Sequence, residues 1–170
     1  MLHRCTIVLG VLSLVLAAGS AQADVFNMGG TISGGTWTGL ASLEFVTVGD
    51  PGNAPDPATG SLYGAVPYVC QMDKYDVTLG QYTAFLNAVA RTDPYGLYNS
   101  YMGNSPPGSG FPTEGISQSG SPGSYSYSVT GPNPQAANCP VYDVTWGNAA
   151  RFCNWQQNGQ PTGAEGNGTT

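Results

Sequence analysis

One pattern of thirteen residues occurs twice in this chain and constrains its fold more than any other feature. Residues 75–87 read Tyr-Asp-Val-Thr-Leu-Gly-Gln-Tyr-Thr-Ala-Phe-Leu-Asn, and residues 142–154 read Tyr-Asp-Val-Thr-Trp-Gly-Asn-Ala-Ala-Arg-Phe-Cys-Asn. With Tyr75 set on Tyr142, 7 of 13 positions are identical. Two copies are too few for a solenoid. They read instead as one strand-to-helix corner used twice in a single domain.

The chemistry of the corner is local. Thr78 is placed as an N-cap, its hydroxyl accepting from a free amide of the first turn. Gln81 at the third helical position completes a Thr-x-x-Gln capping box, and Val77 and Tyr82 are spaced as a hydrophobic staple. Tyr82, Phe85, Leu86 and Val89 then give one apolar helical face. Arg91 suits a helix C-terminus, and Pro94 stops the helix. In the second copy Thr145 is the cap and Asn148 the third helical residue. Ala149, Phe152 and Cys153 are the expected inward face, with Gly159 the stop and Pro161 beyond it. The spacing predicts helices over 77–91 and 145–157, packed into a common interior. Taken singly, these residues carry folding information rather than chemistry.

The first 23 residues have the layout of a secretory signal: His3 and Arg4, an apolar run from Thr6 to Ala18, and Ala21-Gln22-Ala23 as a cleavage site. That run is shorter than the roughly 20 residues a membrane helix needs. The expected product is residues 24–170, secreted or periplasmic, with no membrane segment after cleavage. Cleavage removes the only histidine, His3, and leaves Lys74, Arg91 and Arg151 against ten acidic residues. With no basic patch, nucleic acid is excluded as a partner. Charged residues are only 8% of the chain, a loop-rich surface style rather than a disordered polyelectrolyte. Cys70, Cys139 and Cys153 remain. An odd count leaves one thiol over, and a Cys70–Cys139 disulfide is one pairing that it allows. Their spacing does not suit zinc.

Leu43–Val48 reads as a strand, Asp50–Gly60 as a turn region, and Val66–Val77 as extended chain leading into the first helix. Asn53 and Asp56 offer oxygens of the kind a calcium site uses, although such residues more often make Asx-turns with their own backbone. From Tyr95 to Asn138 runs a long Gly-, Ser-, Pro- and Tyr-rich stretch, read as loop except for an alternating strand over Ser124–Thr130. Pro140–Val144 is the extended lead-in to the second corner. The tail from Gln156 is polar and Gly-rich.

Two motifs carry a family resemblance. Lys74-Tyr75-Asp76-Val77-Thr78, with Gln81-Tyr82 and Phe85-Leu86-Asn87, resembles the K-Y-E-V-T-x-x-Q-Y-x-x-F-x-N signature of formylglycine-generating enzymes, the sulfatase-modifying factor family. Pro140-Val141, Val144-Thr145-Trp146, Ala149, Phe152-Cys153 and Trp155 resemble that family's P-V-x-x-V-S-W-x-D-A-x-x-F-C-x-W. The pair spans roughly residues 45–160. The resemblance implies a loop-rich α+β domain with a C-type-lectin-like fold, few short strands and two main helices. It also implies a parent activity: oxidation of a sulfatase cysteine to Cα-formylglycine with O₂ and copper(I) held by two cysteines. In the family those cysteines lie further along the domain than any match in this chain. The chain therefore resembles the signal and first part of a family member, expected to lack the catalytic half and its copper, with a sulfatase or other protein as the parent's substrate. An isolated part of this kind is expected to be partly folded or aggregation-prone. Asn148 stands where the family usually has Asp, and Asp76 where it has Glu. In some members the cysteine matching Cys153 pairs with one near the domain's C-terminus; here it is a lone thiol or a small apolar filler. The alternative function is a secreted, non-catalytic, lectin-like binding or structural module. Its candidate contacts are Tyr95, Tyr98, Tyr101, Tyr125 and Tyr127, although such tyrosines more often cover a thin core.

Overall fold

Thr78 and Thr145 both stand in extended backbone directly before a helix, and each hydroxyl accepts from the amide three residues on, at 3.2 Å. The computed structural model describes residues 24–26, 28, 31–33, 36–38, 42–103, 105, 108, 110, 112–166 and 168–170. The proposed signal, residues 1–23, lies outside them. Along the chain come β1 (Asp24–Phe26), β2 (Thr31–Ser33), β3 (Thr36–Thr38), β4 (Leu43–Val48) and β5 (Cys70–Asp73). Then follow α1 (Leu79–Val89), β6 (Gly115–Ser119), β7 (Ser126–Thr130) and α2 (Trp146–Gln157). The described residues form an α+β arrangement of two α-helices and short antiparallel strands, rich in loops. Among the described residues no helix is long and apolar enough to cross a membrane.

Strands β1, β4 and β5 form an antiparallel sheet in that order; β2–β3 and β6–β7 are separate hairpins. The expected strand at Leu43–Val48 is β4, whereas only Cys70–Asp73 of the predicted 66–77 extension is a strand. The stretch from Tyr95 to Asn138, read mostly as loop, contains β6 as well as β7. Seryl pairs Ser117–Ser128 and Ser119–Ser126 face each other across this hairpin. The β-branched and aromatic signal that marks most strands is therefore weak in β6. Gly120 is required at its turn: φ is +91°, and a Cβ would stand 2.6 Å from the Ser124 carbonyl oxygen.

Helix α1 is the centre of the core. Tyr82, Phe85, Leu86 and Val89 are all buried, as their spacing predicts. The helix ends at Val89 with Ala90 as cap, so Arg91 and Pro94 lie beyond it. The Arg91 carbonyl instead accepts from the Gly123 and Tyr125 amides at 2.9 and 3.1 Å and holds the hairpin turn to the helix end. Asn87 clamps the same hairpin. Its side chain donates to the Tyr127 carbonyl and accepts from the Tyr127 amide, both at 2.9 Å. The Tyr127 hydroxyl in turn donates to the Ala90 carbonyl at 2.8 Å.

Helix α2 presents a different face from the one its sequence suggests. Asn148, Phe152, Trp155 and Gln156 point inward, while Ala149 and Cys153 are exposed. The large rings decide the rotation. Phe85 meets Phe152 at 5.3 Å and Trp155 at 5.2 Å, centroid to centroid, and Tyr82 meets Phe152 at 5.9 Å. Each aromatic buries far more apolar area than an alanine or cysteine can. The helix ends as predicted at Gly159, φ +82°, in a Schellman motif: the Gly159 amide donates to the Gln156 carbonyl and the Gln160 amide to the Trp155 carbonyl, both at 2.9 Å. The tail then folds back, with the Trp155 indole donating to the Pro161 carbonyl and the Gly163 amide to the Ala88 carbonyl.

Candidate functional site

The lead-ins of the two corners pair with each other, and this pairing builds the site. The Leu79 amide donates to the Cys139 carbonyl at 2.8 Å and the Val141 amide to the Val77 carbonyl at 2.9 Å, around an antiparallel bridge between Thr78 and Pro140. Val77, Val141 and Val144 thereby form one wall. Helix α2 supplies Phe152, Cys153 and Gln156, and the sheet supplies Phe45 and Asp73. Together they enclose an open cavity of about 360 Å³, apolar over most of its surface.

Among the described residues, Gln71, Asp73, Cys153 and Gln156 interrupt that surface with polar groups. The Asp73 carboxyl has one buried oxygen, Oδ1, with no hydrogen-bond partner among the described residues. Burial pushes its pKa above the usual carboxylate range, with Asp76 and Glu44 adding to the rise and the Lys74 and Tyr75 amides opposing it. Gln156 is buried, and its Nε2 is likewise unpartnered among the described residues. Cys153 is exposed at its edge, but neighbouring atoms desolvate the sulfur and push the thiol upward, with the charge of Asp73 adding to this. Such a thiol is a poor nucleophile at neutral pH.

The motif residues divide between this cavity and the scaffold around it. Val77, Tyr82, Val144, Phe152 and Cys153 line it. Thr78 and Gln81 close a full capping box: the Gln81 side chain accepts from the Thr78 amide at 2.8 Å. Thr145, Phe85, Asn87 and Trp155 are structural in the ways already described. Tyr75 and Trp146 are exposed, Trp146 at 87%, with Lys74 resting on the Tyr75 ring and bridging to Glu44 at 3.2 Å. Asp73 and Gln156 belong to neither sequence motif. An acid at a strand end and an amide in the last turn of a helix carry no signal until the fold sets them on one cavity.

All three described cysteines are free, so a Cys70–Cys139 disulfide is not formed. Cys70 sits on β5 opposite Val48, while Cys139 lies beside Gln135 and Asn133. Asp56 makes the expected Asx-turn, accepting from the Ala58 amide at 2.9 Å. Asn53 instead reaches across the loop, donating to the Gly64 carbonyl and accepting from the Val66 amide.

Comparison with protein-family models matches residues 67–167 to the sulfatase-modifying factor enzyme 1-like domain. The chain belongs to this family. The match runs from just before β5 through both corners to the tail. Searches of curated proteins and of solved structures return no match. Within the family domain a second polar cluster joins the tail to the region after α1. Glu165 accepts from the Tyr95 amide at 3.2 Å, while Arg151 stacks on the Tyr95 ring at 3.7 Å and donates to Thr170. Asp93, held with φ +48°, accepts from the Leu97 and Tyr98 amides. Burial and then the neighbouring Asp93 carboxyl push Glu165 to about 7, opposed by the Tyr95 amide and, less, by Arg151.

The five tyrosines of the loop also divide. Tyr127 is buried, its hydroxyl pushed to about 12 by desolvation, and Tyr98 and Tyr125 pack against it. Tyr95 carries Arg151, and Tyr101 is 79% exposed. Tyr101 lies beside Tyr142 and Asp143 on the wall of a second cavity of about 530 Å³.

Proposed function

We propose that this chain is a secreted or periplasmic sulfatase-modifying factor protein whose residues 24–170 form the scaffold part of a C-type-lectin-like domain. The catalytic half, with its copper-binding cysteine pair, is not contained in them. The family match over residues 67–167 carries the family in the first statement, and the signal-like layout of residues 1–23 supports the secreted or periplasmic location. The second is supported by the scatter of thiols, since Cys70, Cys139 and Cys153 each sit among different neighbours and no two share a cavity wall. Those residues do not fit a two-cysteine copper site, so no step of the parent oxidation falls to them. A sulfatase or another cysteine-bearing protein is the proposed substrate of the parent activity.

The test is direct. The secreted chain, incubated with copper(I), O₂ and a cysteine-containing sulfatase peptide, is expected to leave the peptide unchanged by mass spectrometry. Conversion of the peptide cysteine to formylglycine by this chain would overturn the proposal. The second reading, a lectin-like binding module, draws on the exposed Tyr101 beside Tyr142 and Asp143. Glycan-array binding abolished by Tyr101→Ala would favour it.

A further inference from the structure

Buried polar side-chain atoms nearly always have a partner. The cavity between β5, the paired lead-ins and α2 holds two that do not among the described residues: a donor, Gln156 Nε2, and an acceptor, Asp73 Oδ1. Gln156 is only 4% exposed, so water reaches it poorly. Between and around the two stand Phe45, Val77, Val141, Val144 and Phe152. Beside them runs β5, which has β4 on one side and is the outermost strand of its sheet among the described residues.

We propose that this cavity binds an extended peptide segment laid beside β5, one apolar side chain filling the valine- and phenylalanine-lined space. The segment's backbone carbonyl meets Gln156 Nε2, and its amide N–H meets Asp73 Oδ1. A peptide bond is the commonest chemical unit that offers an acceptor and a donor within one residue. A sheet edge next to a side-chain pocket is a familiar setting for strand-like peptide capture. Among the described residues the lining contains no basic group to attract an anion. A volume of about 360 Å³ is at the small end for ligand pockets and suits one large side chain rather than a drug-sized molecule. Occupancy also covers Cys153, which stands on the cavity wall.

The probe is an acetylated and amidated Ala-Ala-Leu-Ala-Ala peptide, titrated into the full chain while the Gln156 side-chain NH₂ resonances are followed. A control peptide is methylated on the leucine nitrogen and so keeps the side chain but lacks the N–H. The expected result is a saturable shift at Gln156 and slower alkylation of Cys153, with the methylated peptide about tenfold weaker. Gln156→Leu is expected to weaken binding by a similar factor. Ala149→Trp, an exposed position on the cavity rim, is expected to block it without touching the core. Equal binding of both peptides, or no saturable shift, would overturn the proposal. So would shifts that appear without peptide and follow protein concentration into a sedimenting dimer, since the occupant would then be a second copy of this chain.

Discussion

At the first corner Gln81 turns back to its own N-cap and accepts from the Thr78 amide. At the second, Asn148 occupies the same place after the cap, but its side chain leaves the helix and donates to the Gly96 carbonyl at 3.0 Å and the Leu97 carbonyl at 3.4 Å. The first helix is enclosed, with eight of its residues buried, whereas the second buries four and turns Ala149 and Cys153 to the open cavity. One sequence pattern thus makes the same bend in two settings. A third-position side chain long enough to reach its own cap closes the capping box. A residue one methylene shorter braces a distant loop instead. The shared threonine sets the bend, and the surroundings set what the helix behind it does.

The comparison predicts unequal costs at equivalent rings. Phe85→Ala, at a fully buried ring touching Tyr82, Phe152 and Trp155, is expected to lose about 4 kcal/mol. Phe152→Ala borders the open cavity and is expected to lose nearer 3 kcal/mol. Urea midpoints at constant slope measure both, and a larger loss at Phe152 would break the enclosed-versus-open contrast. Next in size is Asn148→Ala, which removes the brace to the 96–97 loop and is expected to lose about 2 kcal/mol. Gln81→Ala removes the reciprocal half of a capping box and should lose about 0.5–1 kcal/mol. If Gln81→Ala costs as much as Asn148→Ala, the distinction between a local cap and a tertiary brace fails.

A smaller effect comes from the tail. Glu165 is raised from the ordinary carboxylate range to about 7, so between about 4.5 and 7 the folded chain binds more protons than the unfolded one. The stability that this group contributes is therefore fully present below about pH 4.5 and is lost as pH rises toward 7. Partial exposure and coupling to Asp93 reduce the effect to about 0.5 kcal/mol. Thermal melts at pH 5 and pH 7.5 should differ in that direction, and Glu165→Gln should flatten the difference. Equal slopes in the two proteins would show that the tail contact does not carry it. Smallest of all is the difference between the two caps. Thr78→Ala and Thr145→Ala should each lose about 1 kcal/mol and agree to within a few tenths, since both hydroxyls make the same bond at 3.2 Å.

Local chemistry made both corners legible: caps, a capping box, an apolar stripe on α1, a glycine stop on α2 and the β4 and β7 strands. It also carried the family, because the motif residues sit in the segments that the family match covers. The inward face of α2 was not legible. Alanine and cysteine are apolar by type, but Phe152 and Trp155 had rings to meet on α1 and turned the helix toward them. The cavity was equally hidden, because Asp73 and Gln156 lie 83 residues apart in the chain and acquire meaning only by facing one space.

The amino-acid order by itself determined where the chain bends and which helix forms the centre, because caps, staples and helical spacing act within a few residues. Only the tertiary structure decided which side of α2 is covered, where Asn148 sends its amide, and that two polar atoms are left facing an apolar hollow. Those outcomes depend on competition for buried area and hydrogen-bond partners between segments far apart in sequence, a competition that no local pattern records.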